Sequence, residues 1–313
     1  MIQQRIAIGV VENSQKKILV SKRKMGTHLE GCWELPGGKV ALKESFKMAL
    51  RRELSEELDI QVNSTSKLIE LKHQYDDRQL HFQVFNVNGY SGVVRSVEHQ
   101  ELQWVDYSQF SSLDFPAANR AILDAISLPR SYMIADQDVL KNQLTSIVRY
   151  QLESGISLVQ YRANNVSKQT YIANAKQLRE MCMQFEAKFI TNCELDWVAE
   201  INPNGIHLNS ARLYEVCKNL STHNGMEFFS ASCHNAEEVD MANTLGVRSV
   251  LIGSVNKTHS HVDASTLGWP QFGRLCFMAN SPVYALGGMS VNDYENAKVH
   301  GAQGIAAIRA FLN

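Results

Sequence analysis

Three glutamates, Glu53, Glu56 and Glu57, crowd a segment that holds neither glycine nor proline. Residues 44–58 also set Phe46, Ala49, Leu50, Leu54 and Leu58 near helical spacing, which predicts an amphipathic helix with those side chains on the core. The glutamates then share another face. At separations of three and four residues like charges repel, so the cluster costs stability unless something positive lies between them. A hard cation meets that need. Oxygen ligands in a small cluster suit Mg2+, or Mn2+ in its place, and such ions work mostly on phosphates.

Several elements must position this cluster. Short β-branched runs at 6–11 and 18–21, split by Glu12-Asn13-Ser14-Gln15, predict a hairpin leading towards the helix. Lys22, Arg23, Lys24 and His28 follow, and Arg23 is a candidate phosphate clamp because a guanidinium matches phosphate oxygens bidentately. In Trp33-Glu34-Leu35-Pro36-Gly37-Gly38 the glycines let backbone approach a ligand and offer the Gly38 carbonyl to a metal. Strands are predicted at 68–75 and 79–87, joined at Asp76-Asp77-Arg78, and again at 103–105 after the polar loop Glu98-His99-Gln100-Glu101. Asp114-Phe115-Pro116-Ala117-Ala118-Asn119 opens a helix that runs through 126, where Asn119 reads either as a cap or as an amide able to give and take a hydrogen bond.

The spacing of Gly38, Glu44, Arg52, Glu53, Leu54, Glu56, Glu57 and Ile60 resembles the Nudix box. Asp59 stands where that family has Gly, so the helix end is expected to turn through a left-handed or strained Asp. Within the family, Arg23, His28, Glu34, Arg78, Glu98, Asn119 and the phrase at 114–119 resemble the MutT branch, 8-oxo-dGTP diphosphatases, over about residues 1–128. The resemblance implies metal ligation by Gly38, Glu53, Glu56, Glu57 and Glu98, with Glu101 the next loop carboxylate. It implies catalysis by Glu53 or Glu98 with Arg52 orienting a carboxylate, and substrate contacts from Arg23, His28, Leu35, Arg78 and Asn119. Leu35 replaces a Phe, which removes a ring for stacking. Oxidation at C8 turns the purine N7 from acceptor to donor beside the O6 acceptor, a pair that one side-chain amide can match.

After Ser127-Leu128-Pro129-Arg130, the expected boundary, the pattern changes. Eight short apolar runs at 131–135, 158–162, 189–192, 205–208, 228–232, 250–253, 283–286 and 304–308 are mostly separated by helical patterns, which predicts a parallel sheet closed into a (β/α)8 barrel over 131–313. Such barrels carry their site at the strand C-terminal ends, often with phosphate after strands seven and eight, where Gly287, Gly288 and Arg309 lie. Leu158-Val159-Gln160-Tyr161-Arg162, Ile190-Thr191-Asn192, Gly205-Ile206-His207-Leu208, Ser230-Ala231-Ser232-Cys233-His234 and Leu286-Gly287-Gly288-Met289 resemble thiamine-phosphate synthase and its relative TenI. Ligand candidates are therefore Gln160, Arg162, Asn192, His234, Gly287, Gly288 and Arg309.

The synthases bind a magnesium diphosphate with acids and lysines; here Asn164 replaces a Lys, Cys193 an Asp, Arg212 an Asp and His261 a Lys, so synthase turnover is not expected. Cys193 reads as a packed thiol, His234 as an acid–base or structural His, and His259-Ser260-His261 as a loop. The final run lies close to Asn313, leaving no room for a last helix; the Nudix half, a rearranged helix or a second subunit of a homodimer is expected to cover the apolar stripe left there.

Composition bounds the remaining classes. The 313 residues suit two domains, and a net charge of −1 advertises neither a nucleic-acid polymer nor a membrane surface as partner. Six cysteines without a C-x-x-C pair point to reduced thiols, and the absence of a signal sequence or an eighteen-residue apolar run points to the cytoplasm. The expected fold is α/β, a Nudix sandwich followed by the barrel. The expected activity is Mg2+-dependent hydrolysis of 8-oxo-dGTP to 8-oxo-dGMP and pyrophosphate, a sanitation of the nucleotide pool that serves DNA repair. One alternative is hydrolysis of a thiamine-pathway pyrophosphate; another makes the barrel a non-catalytic binder of a phosphorylated ligand.

Overall fold

The structure, a computed structural model, describes residues 2–26, 29–74, 78–219, 228–257 and 265–312. His28, residues 75–77 and the His259-Ser260-His261 segment lie outside them, as does the side chain of Arg78. Two compact units form, Met1–Ser127 and Leu128–Asn313.

In the first unit, strands β1 (Ile2–Val11), β4 (Gly37–Lys39), β5 (Gln61–Gln74) and β6 (Arg78–Ser91) make a four-stranded mixed sheet in the order β4-β1-β6-β5. Strands β2 (Ile18–Lys22), β3 (Trp33–Glu34) and β7 (Leu102–Val105) make a second sheet in the order β3-β2-β7. Strand alternation divides two cores. Ala7 and Val11 of β1 join Leu50, Leu54 and Leu58 of helix α1 (Phe46–Leu58), whereas Ile8 and Val10 join Ile122 and Ala125 of helix α2 (Arg120–Ser127). Gly9 admits the close approach of α1, because a Cβ there would stand 3.0 Å from Leu54 Cδ1.

The predicted pairing of the first two runs is corrected. A tight turn closes over 13–17, but only Glu12 and Ile18 bridge across it. Strand β1 already carries β4 on one edge and β6 on the other, so β2 takes β3 and β7 as its neighbours.

The second unit is a closed parallel barrel, with β8 (Ser131–Asp136), β9 (Leu158–Arg162), β10 (Lys188–Thr191), β11 (Gly205–Leu208), β12 (Ser230–Cys233), β13 (Ser249–Ile252), β14 (Val283–Leu286) and β15 (Gly304–Ala307) in sequence around it. Tyr132, Ile134, Leu158, Ile190, Leu251, Tyr284 and Ala306 fill the interior, while Met133, Val159, Phe189, Val250 and Ile305 face the helical layer. No helix follows β15 among the described residues. Phe311 turns back instead and is buried in the same cluster as Ile305 and Ala307, which fills part of the stripe expected to lie bare. Among the described residues no helix is long and apolar enough to cross a membrane.

Candidate functional site

Helix α1 begins where Ser45 accepts the Met48 N–H, and it ends at Asp59 in the left-handed conformation (φ 55°, ψ 38°) expected for the residue in the glycine position. Arg95 holds that end, its Nε–H 2.6 Å from Asp59 Oδ2. Between these caps the carboxylates are sorted by Arg52. Its guanidinium grips Glu44 bidentately (3.1 and 3.0 Å), donates to Glu53 (2.8 Å) and Glu56 (3.1 Å), and reaches the Lys39 carbonyl (3.0 Å). One cation thus ties the helix, the segment before it and β4 together. Glu53 lies directly on the Gly38 backbone, since any Cβ at position 38 would meet its carboxyl group at 2.3 to 2.5 Å.

Glu57 faces differently. Its Oε2 accepts the Gly37 N–H at 3.2 Å, yet burial, with Glu53, Glu34 and Glu98 nearby, pushes its carboxyl up to about 8. The loop carrying Glu98 is tied to the same turn by the Val97 N–H on the Glu57 carbonyl (3.0 Å), and Glu98 itself pairs with Lys24 (2.9 Å). Glu101 pairs with Lys22 at 3.1 Å. Arg23 stands 2.5 Å from Glu34, whose carboxyl is raised by burial and lowered in part by that arginine.

No three acidic, histidine or cysteine side chains among the described residues stand at metal-ligand spacing, because Arg52, Gly37 and Lys24 each hold a carboxylate. The donor chemistry nevertheless fits a hard dication: Gly38, Glu53, Glu56, Glu57 and Glu98 offer only oxygen, and the burial and like charge that raise Glu57 are what a cation would offset.

Asn119 closes a 3-10 turn (Ala117–Asn119) and is only 7 % exposed. It does not cap α2. Leu35 is buried in the core with Trp33 and Phe110.

At the barrel's C-terminal rim, Asp136 caps the short helix α3 (Gln137–Leu140) by accepting the Val139 N–H (3.1 Å), and Arg162 Nε lies 3.5 Å from it. Gln160, two residues earlier on the inward face of β9, is 2 % exposed and leaves its Oε1 without a partner. His207 of β11 sits between Ser230 (2.8 Å) and Ser232 (2.9 Å), fully interior, and burial with Arg162 and Arg212 nearby lowers it to about 3, so the ring is neutral. Asn192 accepts from Arg212 (3.2 Å), which also reaches Glu194 (2.6 Å). His234 Nδ1 is shared by Glu238 (3.0 Å) and Ser210 (3.1 Å). Gly287 and Gly288 need positive φ, and side chains there would strike Ser254 and the Lys257 carbonyl. Arg309 is exposed beyond β15.

Three positions at this rim are poor magnesium ligands. The Cys193 thiol is buried and its pKa raised by that burial, Asn164 is engaged with Asp138 (3.2 Å), and Arg212 brings positive charge.

Sequence reasoning gave no role to Glu44, His207 or Ser230. The spacing set Glu44 in the box, but its grip on Arg52 emerges only once Glu44 lies ahead of the helix and folds back. The interior of β11 and β12 carried a weaker signal, polar residues alternating with Ile206, Leu208 and Ala231.

Comparison with known proteins matches a thiamine monophosphate synthase family model to residues 131–311 and a NUDIX domain model to residues 7–125. The thiamine-phosphate synthase of Clostridium perfringens is 26 % identical over 183 residues, 58 % of this chain and 87 % of that protein. A thiamine phosphate pyrophosphorylase structure from Pyrococcus furiosus shares the barrel fold, with a TM-score of 0.50 at 24 % identity, covering 62 % of this chain and 89 % of that one. A MutT structure described for Aliivibrio salmonicida and Vibrio cholerae is 30 % identical and covers 40 % of this chain and 97 % of its own, with a TM-score of 0.36. Matched over more than half its length by the first of these models, the chain belongs to the thiamine monophosphate synthase family, and it carries a Nudix hydrolase domain ahead of the barrel.

Proposed function

We propose that the first unit hydrolyses a purine nucleoside triphosphate, 8-oxo-dGTP foremost, to the monophosphate and pyrophosphate with Mg2+, or Mn2+ in its place, and so cleanses the cytoplasmic nucleotide pool. The observation that carries this reading is the box itself: Glu53 laid on the Gly38 backbone, with Glu57 behind it held near 8 by burial and like charge. Gly38, Glu53, Glu56, Glu57 and Glu98 would hold the ion, which supplies neutralisation of the charge developing on phosphate oxygens. A water oxygen forms a bond to phosphorus, pyrophosphate leaves with the electron pair of the broken P–O bond, and Glu53 or Glu98 takes the water's proton. Arg52 keeps Glu53 in place and Arg23 is near enough to the acidic cluster to meet phosphate.

The base falls to Asn119. Its buried amide offers a donor to O6 and an acceptor to the N7–H that only the oxidised purine has. Kinetics of Asn119→Ala test this. The ratio of kcat/KM for 8-oxo-dGTP over dGTP should fall by roughly tenfold or more, the worth of one buried hydrogen-bond pair. An unchanged ratio removes Asn119 from base selection, and loss of all turnover in Glu53→Gln alone would leave the hydrolase reading intact.

For the barrel we propose the binding of a phosphorylated ligand without synthase turnover, supported by the loss of metal-fitting side chains at Cys193 and Arg212.

A further inference from the structure

Two arginines, Arg162 and Arg212, lie at the barrel mouth, and Arg212 stands where the synthases carry an Asp. Arg162 ends β9 on the same inward face as Leu158 and Gln160. Arg212, in the first turn of helix α4 (Ser210–Lys218), reaches back to Asn192, the residue after β10. Asn192 donates its backbone N–H to the carbonyl of Tyr161, the neighbour of Arg162 (3.1 Å), which places both arginines over the same end of the barrel. Arg212 spends two hydrogen bonds on Asn192 and Glu194, and a guanidinium has five N–H groups. Its side chain is 11 % exposed, so it is already desolvated and aimed, whereas Glu194 is 60 % exposed and able to swing into water.

A second observation points to the rest of the ligand. Gln160 Oε1 is buried, faces the barrel interior below Arg162 and has no partner, and an orphan acceptor of that kind calls for a donor, which the organic part of a phosphorylated small molecule would carry and the phosphate itself would not.

Resting on the reading of the barrel as a phosphorylated-ligand binder, we propose that its mouth takes the phosphate or diphosphate of a small molecule directly on Arg212 and Arg162, with no divalent cation between. The guanidinium of Arg212 stands in for the metal: it supplies positive charge and planar donors to the anion, and Glu194 is the group displaced when the anion arrives. Asp136 keeps Arg162 oriented from the side.

Calorimetric titration of the full chain with inorganic pyrophosphate, in EDTA and again in Mg2+, tests the proposal. One site should titrate in EDTA. Arg212→Gln and Arg162→Gln should each weaken it roughly tenfold or more, as loss of a charge-assisted hydrogen bond does. Glu194→Gln, at an exposed position that folding tolerates, should tighten it severalfold by removing the competing carboxylate. Binding that needs Mg2+ and is lost in these variants overturns the metal-free site while keeping the ligand-binding reading. Silence in both buffers overturns both, and binding in EDTA that ignores all three substitutions places the anion elsewhere and also overturns the proposal.

Discussion

Glu57 makes the first unit's stability depend on pH in a direction opposite to most carboxylates. Its carboxyl is raised from 4.5 to about 8, by burial first and then by Glu53, Glu34 and Glu98. Between those two values the native protein keeps a proton that the unfolded chain releases. The unfolded state binds fewer protons there, so stability is full below about pH 4.5 and is lost as pH rises towards 8. At about 1.36 kcal/mol per pH unit, that window is worth at most roughly 5 kcal/mol. Glu57→Gln removes the titration and keeps an oxygen to accept the Gly37 N–H. The assay is scanning calorimetry of the full chain in EDTA from pH 5 to 8.5, following the transition that the substitution moves. At pH 5 the two proteins should melt within a few degrees of each other. At pH 8 the variant should melt roughly 10 °C higher, taking about 3 °C per kcal/mol for a unit of this size. Other titrating groups are common to both chains and cancel in the difference. Parallel curves across the range would refute the reasoning, since Glu57 would then be ionised in the folded protein throughout.

Arg52→Lys should lower kcat for nucleotide hydrolysis by about 10- to 100-fold with KM changed little, because an ammonium cannot grip Glu44 bidentately and still reach Glu53, Glu56 and the Lys39 carbonyl. Steady-state kinetics check it, and a rise in KM alone would mean that Arg52 touches substrate instead. Gln160→Leu should stabilise the barrel by about 1 kcal/mol in denaturant titration, since it removes an unpaired buried acceptor at little change in volume, while weakening whatever ligand donates to that oxygen. A destabilised Gln160→Leu would show that the acceptor is already satisfied.

Much of this architecture was legible because it depends on local pattern. The eight barrel strands lie within about two residues of where alternating β-branched runs place them, and β9, β11 and β14 coincide with theirs. Phe228 and Phe229 mark the limit: both are apolar and buried, yet the ladder of β12 starts only at Ser230, a distinction that neighbouring strands make and hydrophobicity does not. Strands β3 and β4 escaped because they are only two and three residues long, and β4 opens on two glycines. Pairing partners were less legible still. The turn after β1 was readable, but its strands separate into two sheets because other strands claim both edges of β1. At the site, the left-handed Asp59 followed from one residue replacing a glycine, whereas Arg23 on Glu34 and Arg52 on Glu44 are tertiary choices among several carboxylates.

The two units answer the problem of buried charge with opposite signs. Around α1 the carboxylates outnumber what Arg52 can balance, and the remainder appears as a proton held on Glu57. A hard cation is the partner that chemistry asks for. At the barrel rim the substitutions run the other way: Arg212 and a neutral Cys193 stand where acids are expected, and His207 beneath them is kept uncharged by burial and by the same guanidinium groups. An anion is the complementary partner for Arg212 there once Glu194 swings aside. Chelation therefore separates the two sites chemically, since it should stop hydrolysis at the first while leaving anion binding at the second intact.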